Sequence, residues 1–259
     1  MNATTATLPQ LLDRTITIAA PPETVFRYFT DTQRWAAWWG AGSTIDARPG
    51  GRIFIRYPGG VEVSGEVLSV APPERIVFTY GFDSGTPIPA GASRVTISLK
   101  AAGEGTQLNL LHEFADAAVR DHHVQGWRYQ LSVFANVVAD EVNRGAADVV
   151  DAWFAVWSIT GAADRGAALQ RIAHPTLRFR DRFGATDGID DLVPHIGAAQ
   201  QFMPGMTMHR DGAVRHCQGT ALVNWLAKGP DGQPRGTGTN VFTFDSHGKI
   251  AAVTGLWNP

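Results

Sequence analysis

Asn143-Arg144-Gly145-Ala146-Ala147-Asp148 is the stretch on which the organisation of this chain turns. A helical pattern runs into it, a glycine interrupts that pattern, and Asp148 follows as a candidate cap for a new helix. Apolar residues are spaced differently on its two sides, and nothing on one side repeats on the other. The fold class read from this is α+β in two domains, residues 10–144 and 147–259.

Working back from the break, Val124, Trp127, Leu131, Phe134 and Val138 recur three and four apart between Ala115 and Arg144, one apolar stripe on a long helix. Ahead of that helix the period is two. Ile53/Ile55/Tyr57, Val61/Val63/Val67, Ile76/Phe78/Tyr80/Phe82, Val95/Ile97/Leu99 and Leu108/Leu110 each place apolar side chains on one face of a strand. Pro49-Gly50-Gly51, Pro58-Gly59-Gly60, Pro72-Pro73-Glu74, the loop from Gly85 to Gly91 and Gly103-Glu104-Gly105 mark the turns of an antiparallel meander. Arg14-Thr15-Ile16-Thr17-Ile18 opens the domain as a strand; Pro21-Pro22-Glu23 starts a short helix, and a second carries Trp35, Trp38 and Trp39. A sheet in this order curls round the closing helix and leaves a gap of the kind that binds ligands.

These elements, with Ala20-Pro21-Pro22-Glu23-Thr24-Val25-Phe26, Trp38-Trp39-Gly40, and His112-Glu113-Phe114 leading to Gly126-Trp127, resemble the START-like (SRPBCC) helix-grip superfamily, most closely the group named after the activator of heat-shock-protein-90 ATPase. The resemblance implies an antiparallel sheet around a long C-terminal helix and an internal cavity. Members bind lipids, hormones or polyketides or act as cyclases. Trp38, Trp39, Phe78, Tyr80, His112 and Trp127 are the expected ligand contacts, set against the plainer fact that large aromatics fill the core of any domain. His122 and His123 are adjacent on a helix and point in different directions, so no metal is assigned.

Beyond the break, Val149, Trp153, Val156 and Trp157 share one helix face and a second helix starts near Asp164. His174-Pro175 opens a strand, a helix follows from Ile189 to Phe202, and strands are expected near 206–209, 213–217, 220–228, 236–244 and 250–257, with Pro230-Asp231-Gly232 turning the main hairpin. Asp181-Arg182-Phe183-Gly184, the run Asn240-Val241-Phe242-Thr243-Phe244-Asp245-Ser246-His247-Gly248-Lys249-Ile250 and Trp257 resemble the SnoaL-like, ketosteroid isomerase and nuclear-transport-factor-2 superfamily, which implies a cone-shaped, curved-sheet domain with a pocket inside.

One chemical suggestion stands out. In Leu177-Arg178-Phe179-Arg180-Asp181-Arg182-Phe183 the arginines share one face of the strand, and Asp181 shares the other with Leu177, Phe179 and Phe183. Desolvation strengthens a carboxylate as a base for taking a proton beside a carbonyl. The resemblance places Asp181 where ketosteroid isomerase keeps its general base, and Asn240 where that enzyme keeps an acidic donor to the developing oxyanion; an asparagine amide can donate there without being protonated. The tyrosine that such isomerases carry on their first helix has no counterpart, because Trp153, Phe154 and Trp157 occupy that region. His195, His209 and His216 are alternative donors, set against the plainer reading of each as surface or packing. Trp153, Trp157, Phe179 and Trp257 are the expected ligand contacts of this domain.

Composition removes whole classes. The 22 basic and 24 acidic residues leave a net charge of −2, with no surplus to grip a phosphate backbone or an anionic membrane. No apolar run approaches the roughly 20 residues of a membrane span. The single cysteine, Cys217, excludes a disulfide framework within the chain and fits the cytoplasm. The start, Met1 to Pro9, reads as a frayed tail without the features of a secretory signal. Three functions follow: binding of small hydrophobic or amphipathic molecules in two cavities, without a cofactor; an isomerase, cyclase or hydrolase acting on a carbonyl compound through Asp181; or a stress-related co-chaperone, on the family name alone. The outward set Val241 and Thr243 permits a homodimer through the second sheet.

Overall fold

A computed structural model describes residues 7–258. Met1 to Ala6, read above as part of a tail, lie outside the described residues. The chain divides into two compact units at Val138/Ala139.

The first unit runs β1 (Gln10–Ile18), α1 (Pro22–Arg27), α2 (Thr32–Trp39), β2 (Thr44–Ile45), β3 (Arg52–Arg56), β4 (Glu62–Ala71), β5 (Arg75–Tyr80), β6 (Ser93–Ala102), β7 (Gly105–Phe114) and the long α3 (Ala117–Val142). Its seven strands form one sheet in the order β1-β7-β6-β5-β4-β3-β2, every pair antiparallel. Alternation is cleanest in β7, where Thr106, Leu108, Leu110, His112 and Phe114 are buried and the residues between them less so. Pro22 opens α1 where its missing N–H costs nothing, and the Asp31 carboxylate caps α2 by accepting from Arg34 N at 2.9 Å. Trp127, Leu131, Phe134 and Val138 of α3 are buried as their spacing requires, each contributing about 1.5–3 kcal/mol by leaving water. His123 and Gln130 are buried with them, whereas Val124 is half-exposed. Val61 is exposed and precedes β4, so it does not share the inward face of Val63 and Val67.

The second unit runs α4 (Ala146–Val156), α5 (Ala162–Ile172), β8 (Ala173–Arg180), β9 (Ala185–Asp187), α6 (Ile189–Phe202), β10 (Thr207–Cys217), β11 (Thr220–Lys228), β12 (Pro234–Phe244) and β13 (Ile250–Trp257). Its sheet has the order β10-β11-β12-β13-β8-β9; β13 and β8 are parallel and the other pairs antiparallel. The inward residues of the strands, among them Leu177, Phe179, Val223, Trp225 and Phe242, pack with Trp153 and Phe154 of α4 and Leu192 and Ile196 of α6 in one core.

Three details differ from the sequence reading. α4 begins at Ala146 with Gly145 in the cap position, so Asp148 lies in the first turn, where its charge favours the helix N-terminus, and is not the cap. The last turn of α3 belongs to the second unit, in which Asp140 meets the His216 ring nitrogen Nδ1 at 3.0 Å. The stretches 206–209 and 213–217 are one strand, β10, whose register shifts between Asp211 and Arg215 around Gly212 at φ +85°.

Candidate functional site

The second unit has a half-open cavity of about 540 Å³ between its sheet and α6. His195, Ala198, Ala199 and Phe202, spaced along one face of α6, form one wall; the two alanines leave the room that larger side chains would fill. Phe179, Met208, Trp225, Ala227, Asn240, Gly255 and Trp257 supply the sheet side, and Trp157 closes the end at the C-terminus of α4. Most of this lining is apolar. Phe202 and Phe183, both exposed, stand at the rim.

Asp181 follows directly on β8, in a tight turn. Its Oδ1 accepts from the backbone N–H groups of Phe183 and Gly184, both at 2.8 Å, while its own N–H donates to Gly184 O at 2.9 Å. Oδ2 accepts no hydrogen bond among the described residues. The side chain is half-buried, and besides lining the cavity it borders an open surface cleft with Thr254, Gly255 and Trp257. The carboxylate therefore reaches both the cavity and solvent.

Asn240 is buried on β12 directly opposite Gly255 of β13. A methyl group built on Gly255 would lie 3.2 Å from Asn240 Oδ1 and 3.2 Å from Asp181 Cβ. Asp181 and Asn240, distant along the chain, thus flank a single glycine at one end of the cavity. Asn240 Oδ1 accepts from the Trp225 indole Nε1–H at 3.0 Å, and its Nδ2 makes no hydrogen bond among the described residues.

His195 packs edge-on to Trp157, with ring centres 6.3 Å apart, and tilted against Phe179 at 5.6 Å. It lies over Gly184, where a methyl group would come within 2.4 Å of its Cε1. The tetrapeptide Asp181 to Gly184 thus holds the carboxylate and seats the imidazole. Gln200 also lines the cavity, but its amide is committed: Oε1 accepts from Arg165 at 3.1 Å, and Nε2 donates to the carbonyls of Trp157 at 2.8 Å and Ile159 at 3.0 Å. Trp157 Nε1 is buried without a hydrogen-bond partner among the described residues.

Of the residues expected here, Asp181, Asn240, Trp157, Phe179 and Trp257 meet at the cavity. Trp153 does not. It is 1% exposed, packed on Phe179 and edge-on to Phe242, and belongs to the core. His209 is exposed beside Thr207, and His216 holds Asp140 and the backbone of Gly219.

The first-unit residues find their partners in one another. Trp38 and Trp39 lie 4.1 Å apart between ring centres, Trp39 meets Trp127 edge-on at 5.6 Å, and Phe78 meets Trp35 edge-on at 5.9 Å. His112 is locked at both nitrogens. The Trp127 indole can only donate, so Nδ1 accepts from it at 2.8 Å; Nε2 then carries the proton and donates to Ser93 Oγ at 2.8 Å, and Ser93 donates to the carbonyl of Tyr80 at 2.7 Å. Burial, and secondarily the neighbouring His123, pushes the His112 imidazole well below its usual range and keeps it neutral. Tyr80 shares its hydroxyl with Tyr57 at 3.0 Å, and burial raises the Tyr57 phenol to about 12. Trp38, Trp39, Phe78, Tyr80, His112 and Trp127, expected as ligand contacts, are all buried and pack on one another or on neighbouring aromatics, and Trp39 Nε1 has no hydrogen-bond partner among the described residues.

Residues 19–139 match the Activator of Hsp90 ATPase homolog 1-like protein family. That match lies almost wholly within the first unit. Among curated proteins no sequence matches the chain. Similar solved structures include a SnoaL-like family protein from Agrobacterium tumefaciens, 21% identical, covering 44% of this chain and 97% of its own, with a TM-score of 0.42. CalU16 from Micromonospora echinospora is 25% identical over 52% of this chain and 79% of its own, TM-score 0.42. The Aha1 dimer from Colwellia psychrerythraea is 18% identical over 47% and 90%, TM-score 0.41. Among the described residues no helix is long and apolar enough to cross a membrane.

Trp225 is among the site residues that the sequence reading missed. Its parity with Val223 and Ala227 places it inward, but its bond to Asn240 depends on the register of β11 against β12. His195 was legible only as an undecided histidine; its spacing from Ala198, Ala199 and Phe202 shows a common face without showing what that face covers.

Proposed function

We propose that the second unit holds a small, mostly apolar molecule carrying a carbonyl or enol oxygen, with that oxygen at the Asp181 and Asn240 end of the cavity. The observation that carries this is the pairing of a carboxylate and an amide across Gly255 in a mostly apolar pocket. The amide donates to the ligand oxygen, and aromatic and methionine side chains accommodate the hydrocarbon body.

A second reading, proton transfer, is favoured by the free Oδ2 of Asp181. In it, the C–H bond beside the carbonyl breaks, its proton passes to Oδ2, and the electron pair becomes the enolate, whose oxygen Asn240 stabilises. The open cleft on the far side of Asp181 lets that proton exchange with water.

Both readings are tested with 2-tetralone and its aromatic enol analogue 2-naphthol. The wild type is expected to bind 2-naphthol and to exchange the α-hydrogens of 2-tetralone for deuterium in D2O, followed by proton NMR. Asp181→Asn should slow exchange by about a hundredfold or more while leaving 2-naphthol affinity within about threefold. Binding without wild-type exchange refutes proton transfer alone; failure to bind either compound refutes the site. We further assign the protein to the cytoplasm, supported by its one free cysteine, and a homodimer to the outward sheet face bearing Val241 and Thr243, which sedimentation velocity tests.

A further inference from the structure

We infer that Trp225 is a positioning residue that sets the polarity of the cavity at Asn240, so that this amide presents its donor end to a ligand oxygen. The inference rests on the proposed reading of the Asp181 and Asn240 site. An asparagine amide has two ends of nearly equal shape and opposite chemistry, and only its surroundings choose which end faces a ligand. Here the choice is made by an indole. Trp225 Nε1–H has no acceptor capacity, lies 3.0 Å from Asn240 Oδ1, and both side chains are buried. Turning the amide over would set its N–H groups against the indole N–H and leave two buried donors without acceptors, which disfavours that orientation by a factor of about ten or more. Nδ2 is therefore turned to the cavity.

The indole is itself held in place. Trp225 stands opposite Gly238 in the sheet, and a methyl group there would come within 2.3 Å of Trp225 Cζ2, so the ring lies flat over a residue without a side chain. Trp257 meets it edge-on with ring centres 4.7 Å apart. The consequence is a pair of complementary groups lining one cavity: an amide donor for a ligand oxygen, and Asp181 Oδ2, an acceptor for a ligand proton. A carbonyl with an acidic neighbouring C–H, or an enol or phenol O–H, satisfies both.

The test compares 2-naphthol with naphthalene, which shares the ring system and lacks the oxygen, by calorimetric titration of the full chain. The wild type is expected to prefer 2-naphthol by about five- to tenfold. Trp225→Phe removes the N–H together with part of the ring; it should cut that preference to about twofold, the lost packing being common to both compounds and cancelling in the ratio. The double variant W225F/N240A should bind 2-naphthol no more weakly than N240A, because each change removes the same contact; N240S replaces N240A if the latter does not fold. Retention of the full preference by W225F overturns the inference, and an equal loss for both compounds assigns Trp225 to packing instead. If the wild type binds neither compound, the proposed function fails, and the positioning bond is read separately from deuterium exchange of the Trp225 indole proton. That exchange should be faster in N240A than in the wild type; equal rates overturn the inference.

Discussion

Gly238→Ala is the substitution whose outcome the geometry defines most sharply. Gly238 lies on β12 between Trp225 of β11 and Trp257 of β13. Its added methyl would sit 2.2 Å from Leu256 O and 2.3 Å from Trp225 Cζ2. Carbon contacts settle near 3.5–4.0 Å, so roughly 1 Å or more must be found. Neither neighbour gives easily: the carbonyl belongs to the adjacent strand, and the indole is buried between Asn240 and Trp257. Overpacking of this kind costs about 1–3 kcal/mol. Replacing a strand glycine returns about 0.5–1 kcal/mol of chain entropy, which does not cover it. The variant should therefore be less stable by about 1–2 kcal/mol in urea denaturation, and its near-UV circular dichroism should change as the two indoles part. Gly166→Ala in α5 is the opposite case. Its methyl would meet Val193 Cγ2 at 3.7 Å, an ordinary contact, so helix propensity prevails and stability rises by about 0.5–1 kcal/mol. If G238A matched or exceeded the wild type with its near-UV spectrum intact, the packing account of Trp225 would be wrong.

Glu113 and Arg94 pair across β7 and β6 through two hydrogen bonds of 2.6 and 2.5 Å, and the Arg94 guanidinium holds the Glu113 carboxyl below its usual range. A lowered carboxyl stabilises the fold above its unfolded-state pKa and loses that contribution as the pH falls through its folded value. Because Arg94 is 41% exposed, E113Q should cost only about 0.5–1 kcal/mol at pH 7, a gap that closes on acidification toward pH 3; urea midpoints measured across that range check it, and a constant gap counts against the pair. Gly184→Ala should push the His195 ring off its seat and into the cavity, shifting its imidazole NMR resonances and weakening 2-naphthol binding by about threefold, with stability changed by less than about 0.5 kcal/mol because a side-chain end gives way and not the backbone. Unmoved His195 resonances would refute that placement.

Much of the architecture was legible because it follows from local periodicity. The change from period two to the α3 stripe, the span of α6 from Ile189 to Phe202 and the strands Thr220–Lys228 and Ile250–Trp257 agree with their spacing to the residue. β10 was read as two strands because a bulge interrupts the pattern without ending the hydrogen-bonded ladder. Asp181 and Asn240 were identified by parity together with resemblance, and parity holds as far as a strand lasts. Phe183, counted on the same face as Phe179, is 63% exposed, because β8 ends at Arg180 and the chain turns at Asp181.

The sequence by itself determined which residues turn inward and what kinds of element carry them, since burial of alternate or every third and fourth side chain is a property of neighbours along the chain. Whether inward residues enclose space is decided by what stands opposite. In the first unit the facing positions hold tryptophans, tyrosines and histidines that pack on and hydrogen-bond one another. In the second, Ala198 and Ala199 face the sheet's aromatics, Gly255 within the sheet carries no side chain, and a cavity is left. The register of β11, β12 and β13 then brings Trp225, Asn240 and Gly255 side by side, and the turn after β8 adds Asp181. Such meetings depend on strand register and on the volume of distant side chains, and neither is a periodic property of sequence.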